Sequence, residues 1–466
     1  MLFIPIFLII RNFGIKKLLL AKQQEEGARN VNTKKLAKSG SLVIIFALLV
    51  SMMAGCGSST PAQPAKPGAA KEIKIGTIYP MSGAAAVTGV ELMNGIKLAA
   101  EIVNGAYPDL DLPLAKGKGL ANLGGAKVVI VSGDHQGSNE KGMSEAERLI
   151  TQEKVVALLG SYHSAVTATA SQVAERNGIP FLNDSSTSPS LITRNFKWFF
   201  RTTPDDDTFA NNFFQFLNDL KAKNTIKEPK LAVLYENTLW GSDVGKAENR
   251  FAKEHKYTVV SDLSYPAKST NVASEVQKLK GSGADIVMQA SYASDAILFM
   301  KAYKDMDYNP DAILAMDAGF IDTEFLKALG KDGNYILSRE VWALDLGKNK
   351  PLVEKINAIY KQKYGVNMTG NSARAFTGMM VLCDALNRAG STEPAAIKKA
   401  LEATDIPGSQ LVMPWKGVKF DPTTHQNTLG SGIIVQIQEG QYVTVWPWES
   451  ASKPIIWPIP KWSERK

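Results

Sequence analysis

A βαβ rhythm that runs twice is the feature that most narrows what this chain can fold into. From Lys71 onward, short apolar and β-branched runs alternate with stretches whose apolar residues recur at helical spacing. Residues 73–79 predict a strand, and 89–103 a helix with Leu92, Ile96 and Ala99 on one face. Strands at 127–131, 155–159 and 179–182 then alternate with helices at 139–152 and 165–176. The series restarts with strands at 230–235, 257–261, 285–289 and 312–315, interleaved with helices at 244–254, 272–280, 293–304 and 323–329. Such alternation calls for parallel strands, because each crossover needs its helix, and the helices then cover both faces of the sheet. Two series of this size predict an α/β protein of two doubly wound parallel-sheet lobes that face each other, with residues 198–207 carrying the chain across. A strand at 335–337, long helices at 352–364 and 373–388, a third near 396–403, and short strands at 418–421, 433–438 and 442–446 complete the pattern. Residues 105–125 read as a surface insertion, and the Trp- and Pro-rich stretch 446–462 as an extended tail packed along a lobe surface.

At 466 residues the chain exceeds one ordinary core, which agrees with two lobes. Its formal charge of +8 is a nucleic-acid signal only until it is located. Residues 1–55 hold an excess of six positive charges, so the remainder carries only +2 and shows no basic stripe with interleaved aromatics. Nucleic acid is therefore not an expected partner. The basic excess belongs to a leader: Lys34, Lys35 and Lys38 precede the apolar run 42–50, and small residues then lead to Met53-Ala54-Gly55-Cys56. That run is shorter than the roughly 20 residues that span a bilayer. The last four residues resemble a bacterial lipobox, with Met53 in place of the usual Leu. On this reading residues 1–55 are a lipoprotein signal, Cys56 carries the lipid, and 56–70 form a flexible tether of Ser, Pro and Ala. A second apolar run at 2–10, ended by Arg11, is too short to span and suggests an over-extended start. The other cysteine, Cys383, reads as a buried small apolar residue, since two thiols make neither a disulfide framework nor a metal site.

Several chemistries find no support. His135, His163, His255 and His425 are scattered without metal-ligand spacing, and neither a nucleophile elbow nor a phosphate-binding loop is present. The loop after the first strand reads Tyr79-Pro80-Met81-Ser82-Gly83 and lacks the dinucleotide fingerprint. Asp134-His135 could form a catalytic pair, but adjacent residues at a strand end point apart. No enzyme, cofactor or metal is expected.

Ligands of doubly wound sheets bind at the carboxyl ends of the strands. Three such loops in the first series are rich in hydroxyls: Ser82-Gly83, then Gly160-Ser161-Tyr162-His163-Ser164, then Asp184-Ser185-Ser186-Thr187-Ser188. Hydroxyls and N–H groups at a helix start suit a carboxylate, although capping and turn chemistry favour the same residues. In the second series Trp240, Tyr292 and Asp317 follow three strands in turn and suit an ammonium group beside an apolar side chain.

From Lys71 to Lys466 the chain resembles the type I periplasmic solute-binding proteins, in particular the branched-chain amino acid and amide transport group. The likeness is carried by Ile73-Lys74-Ile75-Gly76 with Met81-Ser82-Gly83, by Gly160 and Ser164 ahead of Ala170, and by Gly178-Ile179-Pro180. Phe200-Arg201-Thr202, Tyr235 with Trp240-Gly241, and Ala284-Asp285-Ile286-Val287 add to it. The resemblance implies two lobes joined by a three-strand hinge, here 71–204 plus 343–430 and 205–342 plus 431–466, closing on a solute and docking on an ABC permease. It implies a monomer held outside the cytoplasmic membrane through its lipid alone. Ser164 and Thr187 match the family's carboxylate-binding Ser and Thr, with Ser185 and Ser186 beside them. Thr88 and Trp240 fall where leucine-type binders place aromatic pocket residues, and Tyr292 matches the tyrosine near the ammonium group. The family's acidic ammonium anchor aligns with Ala318, one residue after Asp317. Either Asp317 serves in its place, or the ligand is an amide or an aromatic or organic acid without that group. A lipid-anchored ligand sensor with the same cleft is the alternative to a transport component.

Overall fold

The computed structural model describes residues 71–466; the leader, Cys56 and the tether lie outside them. Strand β1 (Glu72–Tyr79) is followed by helix α1 (Ala86–Asn104), β2 (Lys127–Asp134), α2 (Asn139–Thr151), β3 (Ala157–Gly160), α3 (Ser164–Asn177), β4 (Phe181–Asn183) and β5 (Phe199–Arg201). These five strands form one sheet in the order β2-β1-β3-β4-β5, parallel throughout. The second series runs α4 (Asp206–Ala222), β6 (Lys230–Glu236), α5 (Leu239–Glu254), β7 (Thr258–Tyr265), α6 (Ala273–Ser282), β8 (Ile286–Ala290), α7 (Ala293–Asp305), β9 (Ala312–Ala315), α8 (Thr323–Leu329) and β10 (Leu337–Glu340). Its parallel strands repeat the same order, β7-β6-β8-β9-β10. Both sheets therefore reverse direction of winding beside their first strand, which opens a crevice at its carboxyl end.

The chain then returns to the first sheet through α9 (Pro351–Tyr364), α10 (Gly370–Ala389) and α11 (Pro394–Glu402), where α10 packs on α1. A small antiparallel pair, β11 (Asp405–Pro407) with β12 (Gly417–Lys419), precedes a last crossing. Strands β13 (Ile433–Gln438) and β14 (Gln441–Trp446) finally extend the second sheet beyond β10 as antiparallel neighbours. The chain thus passes between the sheets three times.

The doubly wound α/β architecture is as the sequence predicts, with local differences that have physical causes. Residues 198–207 are not a plain connector, because they contain the edge strand β5 and the start of α4. That helix is capped by Asp205, whose side chain accepts from the Thr208 amide, and it buries Phe209, Phe213, Leu217 and Leu220 at helical spacing. Helix α5 starts five residues earlier than expected because Thr238 caps it. Residues 105–125 do not merely cover the surface: Leu110, Leu112, Ala115 and Leu120 are buried. The tail follows the expected course along the second sheet, with the Ile459 amide donating to the Asp311 carbonyl (2.8 Å) and the Trp462 indole to that of Tyr308 (3.1 Å). Cys383 is fully buried on α10. Among the described residues no helix is long and apolar enough to cross a membrane.

Candidate functional site

The carboxyl ends of both sheets meet at a cleft. From the first sheet come the loop after β1, the segment between β3 and α3, and the loop after β4; from the second come the starts of α5 and α7 and the turn after β9. Two cavities lie here. An inner chamber of ≈ 20 Å³, room for about one water, is bounded by Tyr162, Ser185, Thr187, Trp240, Tyr292, Asp317, Ala318, Arg339 and Arg374. An outer cleft of ≈ 610 Å³ adjoins it, with Thr88, His163, Glu236 and Asp295 among its walls. Tyr162, Trp240 and Tyr292 border both spaces, so these three rings form the partition.

The partition is an aromatic cluster drawn from both sheets. Tyr292 lies 4.8 Å from Trp240, 4.7 Å from His163 and 5.6 Å from Tyr162, ring centre to ring centre. His135 stands edge-on to His163 at 5.3 Å. Burial holds both imidazoles well below their usual pKa, His135 to about 4 and His163 to about 3, so they act as neutral rings at physiological pH.

The floor of the inner chamber is charged. Asp317 is 2% exposed and is ion-paired to two equally buried arginines, Arg339 on β10 and Arg374 on α10. Arg374 Nη2 reaches its two carboxylate oxygens at 3.0 and 3.3 Å. Asp317 and Ala318 both hold positive φ, 59° and 47°, and the Asp317 carboxylate accepts from the Ala318 amide. Arg339 also lies 3.6 Å from Asp206 and stacks 3.7 Å over the Phe209 ring. Burial pushes Asp206 up to about 7 and Glu340 up to about 8, against the pull of the arginines.

Six of the eleven residues expected at the site line the inner chamber: Tyr162, Ser185, Thr187, Trp240, Tyr292 and Asp317. Thr88 lines the outer cleft, where its hydroxyl donates to Asp322 at 2.5 Å. Ser82, Ser161, Ser164 and Ser186 line neither. Ser82 donates to Asp134 (2.6 Å), Ser164 accepts from the Ser188 amide (3.4 Å), and Ser186 donates to the Tyr162 carbonyl (3.0 Å). The Ser161 carbonyl contacts His135 Nε2 at 2.9 Å. Asp134 and His135 do point apart, one to the loop after β1 and the other to the loop after β3.

Sequence reasoning missed Arg339 and Arg374. A signal existed for each: Arg339 interrupts an apolar segment at a strand end, and Arg374 is the lone charge in the small-residue stretch Gly370–Thr377. Polar bonds also tie the two sides of the cleft together. Thr323 on α8 donates to Glu91 on α1 (3.0 Å), and Ser188 and Ser190 each donate to Asp243 on α5 at 2.5 Å.

A family model described as "Periplasmic binding protein" matches residues 72–441. A Leu/Ile/Val-binding protein homolog 7 of Brucella abortus is 33% identical over 401 residues, covering 84% of this chain and 95% of the relative. Among solved structures, a leucine binding protein from Thermotoga maritima superposes with a TM-score of 0.68 at 20% identity, covering 80% of this chain and 97% of that one. A solute binding protein of an ABC transporter from R. palustris, in complex with 4-hydroxybenzoate, does so with a TM-score of 0.66 at 22% identity over 80% and 95% of the two chains.

Proposed function

The chain belongs to the periplasmic binding protein family, and from that premise we propose that it is the extracytoplasmic solute-binding component of an ABC importer. Its two lobes, 71–204 plus 343–430 and 205–342 plus 431–466, close on one small carboxylate-bearing solute. Lipidated Cys56 holds it to the membrane, and a permease receives the closed form. The observation that carries this reading is the inner chamber together with the ≈ 610 Å³ cleft that adjoins it across the aromatic partition. Ser185 and Thr187 from one sheet and Trp240, Tyr292 and Asp317 from the other border a single buried space. Cationic donors facing aromatic rings make a site for a molecule with one anionic end and one apolar end. Leucine and 4-hydroxybenzoate, named with two of the solved relatives, share that chemistry.

On this reading capture is reversible. The partition rings come from both lobes, so opening the lobes separates Tyr162 from Trp240 and Tyr292 and exposes the floor. A solute that contacts both lobes favours the closed form by its differential affinity for it. The test is a thermal-shift screen of the purified, solute-free protein against amino acids, amides and aromatic acids. A bound solute at 100 times its Kd stabilises by about 2.7 kcal/mol. If no member of the panel raises Tm, the capture reading fails.

A further inference from the structure

We propose that the inner chamber is an anion pocket in which Arg339 and Arg374 take the solute's carboxylate and Asp317 is their resident counter-ion. The solute class is then a small organic acid without an α-ammonium group, its apolar or aromatic body lying against Trp240 and Tyr292. This inference rests on the capture reading above and deepens it by naming the ligand class.

The geometry supplies three arguments. Two guanidinium groups, each 2% exposed, share one carboxylate across ion pairs to Asp317, and a guanidinium cannot shed its charge. Buried nitrogens remain without an acceptor among the described residues, namely Nε of Arg339 and Nε of Arg374, on two side chains that border the chamber. A second carboxylate offers acceptors for these free N–H groups, one from each arginine. An ammonium group placed beside Asp317 would instead bring a third cation against the two arginines.

Nearby acids, Asp206, Glu340 and Asp184, offset only part of this charge, since burial raises all three. Asp206 and Glu340, next to the arginines, therefore supply less than their full negative charge near neutrality. In the outer cleft Glu236 accepts from the Thr238 hydroxyl and the Tyr292 amide, and Asp295 from the Lys268 amide; Asp322, behind Thr88, accepts from the Thr88 hydroxyl and the Glu324 amide. Each carboxyl group is committed to donors of the protein.

The experiment compares matched probes on the solute-free wild-type protein by calorimetry and thermal shift: L-leucine with 4-methylpentanoate, and L-phenylalanine with 3-phenylpropanoate, with benzoate added. The acids are expected to bind at least tenfold more tightly than their amino-acid partners. Arg374→Gln is expected to weaken acid binding tenfold or more. Asp317→Asn, which removes the competing carboxylate, is expected to strengthen acid binding several-fold. Tighter binding of leucine than of 4-methylpentanoate would overturn the inference, as would loss of binding in Asp317→Asn, while leaving capture intact. Failure of every probe to bind would remove both. The wild-type comparison stands even if a variant fails to fold.

Discussion

Gly319 occupies a place where no side chain fits. A Cβ there would lie 2.5 Å from the carbonyl carbon of Tyr292 and 2.6 Å from the Ala293 nitrogen. The missing side chain lets the turn after β9 press against the start of α7, and the Gly319 amide donates to the Ser291 carbonyl at 3.0 Å. Asp317 on one side of the contact and Tyr292 on the other are thereby held in the same chamber. Gly319→Ala is expected to force the turn back, costing about 1–3 kcal/mol of stability and weakening solute binding with it. Urea unfolding monitored by fluorescence checks the first effect; an unchanged midpoint would show that the turn accommodates the methyl. Residue identity at this site was partly legible beforehand. Trp240, Tyr292 and Asp317 each follow a strand the sequence predicts, and those strands, β6, β8 and β9, are neighbours in the sheet. The two arginines that fix the charge of the chamber stand on a strand and a helix from different parts of the chain, and only packing brings them to Asp317.

Between elements, the contact of α1 with α10 anchors the returning segment on the first sheet. It is close because Gly95 faces the backbone: a Cβ would meet the Ser372 carbonyl oxygen at 2.1 Å. Helix α10 is fixed at that end by a capping box between Thr369 and Ser372. Gly95→Ala is expected to push the helices apart, at a cost of about 1–3 kcal/mol, seen as a lower Tm. Gly117→Ala, where a Cβ has nothing within 4 Å, is the control and should leave Tm nearly unchanged. Element order was legible because hydrophobic periodicity is local, as the strand at Ala312–Ala315 and the helix at Thr323–Leu329 show. The omission of α4 is instructive. Phe209, Phe213, Phe216 and Leu220 carried a helical stripe behind an Asp205 cap, but a three-residue strand before it offered no alternation to mark the boundary.

Across the whole molecule, polar bonds join the two sides of the cleft, and some of them titrate. Glu91 accepts from Thr323 across the cleft and from Thr369 and Asn371 on its own side. Burial, with Asp322 nearby, raises its pKa to about 7 from 4.5. A carboxyl raised on folding is protonated preferentially in the native state. Its contribution is therefore complete below pH 4.5 and is lost as pH rises toward 7, by a change on the order of 3 kcal/mol. Asp206 and Glu236, raised to about 7, and Glu340, raised to about 8, act in the same direction. His135 and His163, held neutral by burial, act in the opposite sense below pH 6.5, so wild-type Tm is expected to fall between about pH 6.5 and 8, and Glu91→Gln to have a shallower slope there. Equal slopes in the two proteins would exclude Glu91 as a contributor.

By itself the sequence determined the order of the repeating βαβ units, short of β5 and α4, and the burial of Cys383. It also determined which loops stand at the carboxyl ends of the strands. These follow from spacing along the chain, where each residue's neighbours in sequence suffice. The tertiary structure alone decided that six of the eleven expected residues share one small chamber, that Ser164 and Ser186 bond to backbone beside it, and that two arginines balance Asp317. Buried charges find their partners across distant segments, and no local pattern encodes which carboxylate a guanidinium will meet once the chain has crossed between the sheets three times.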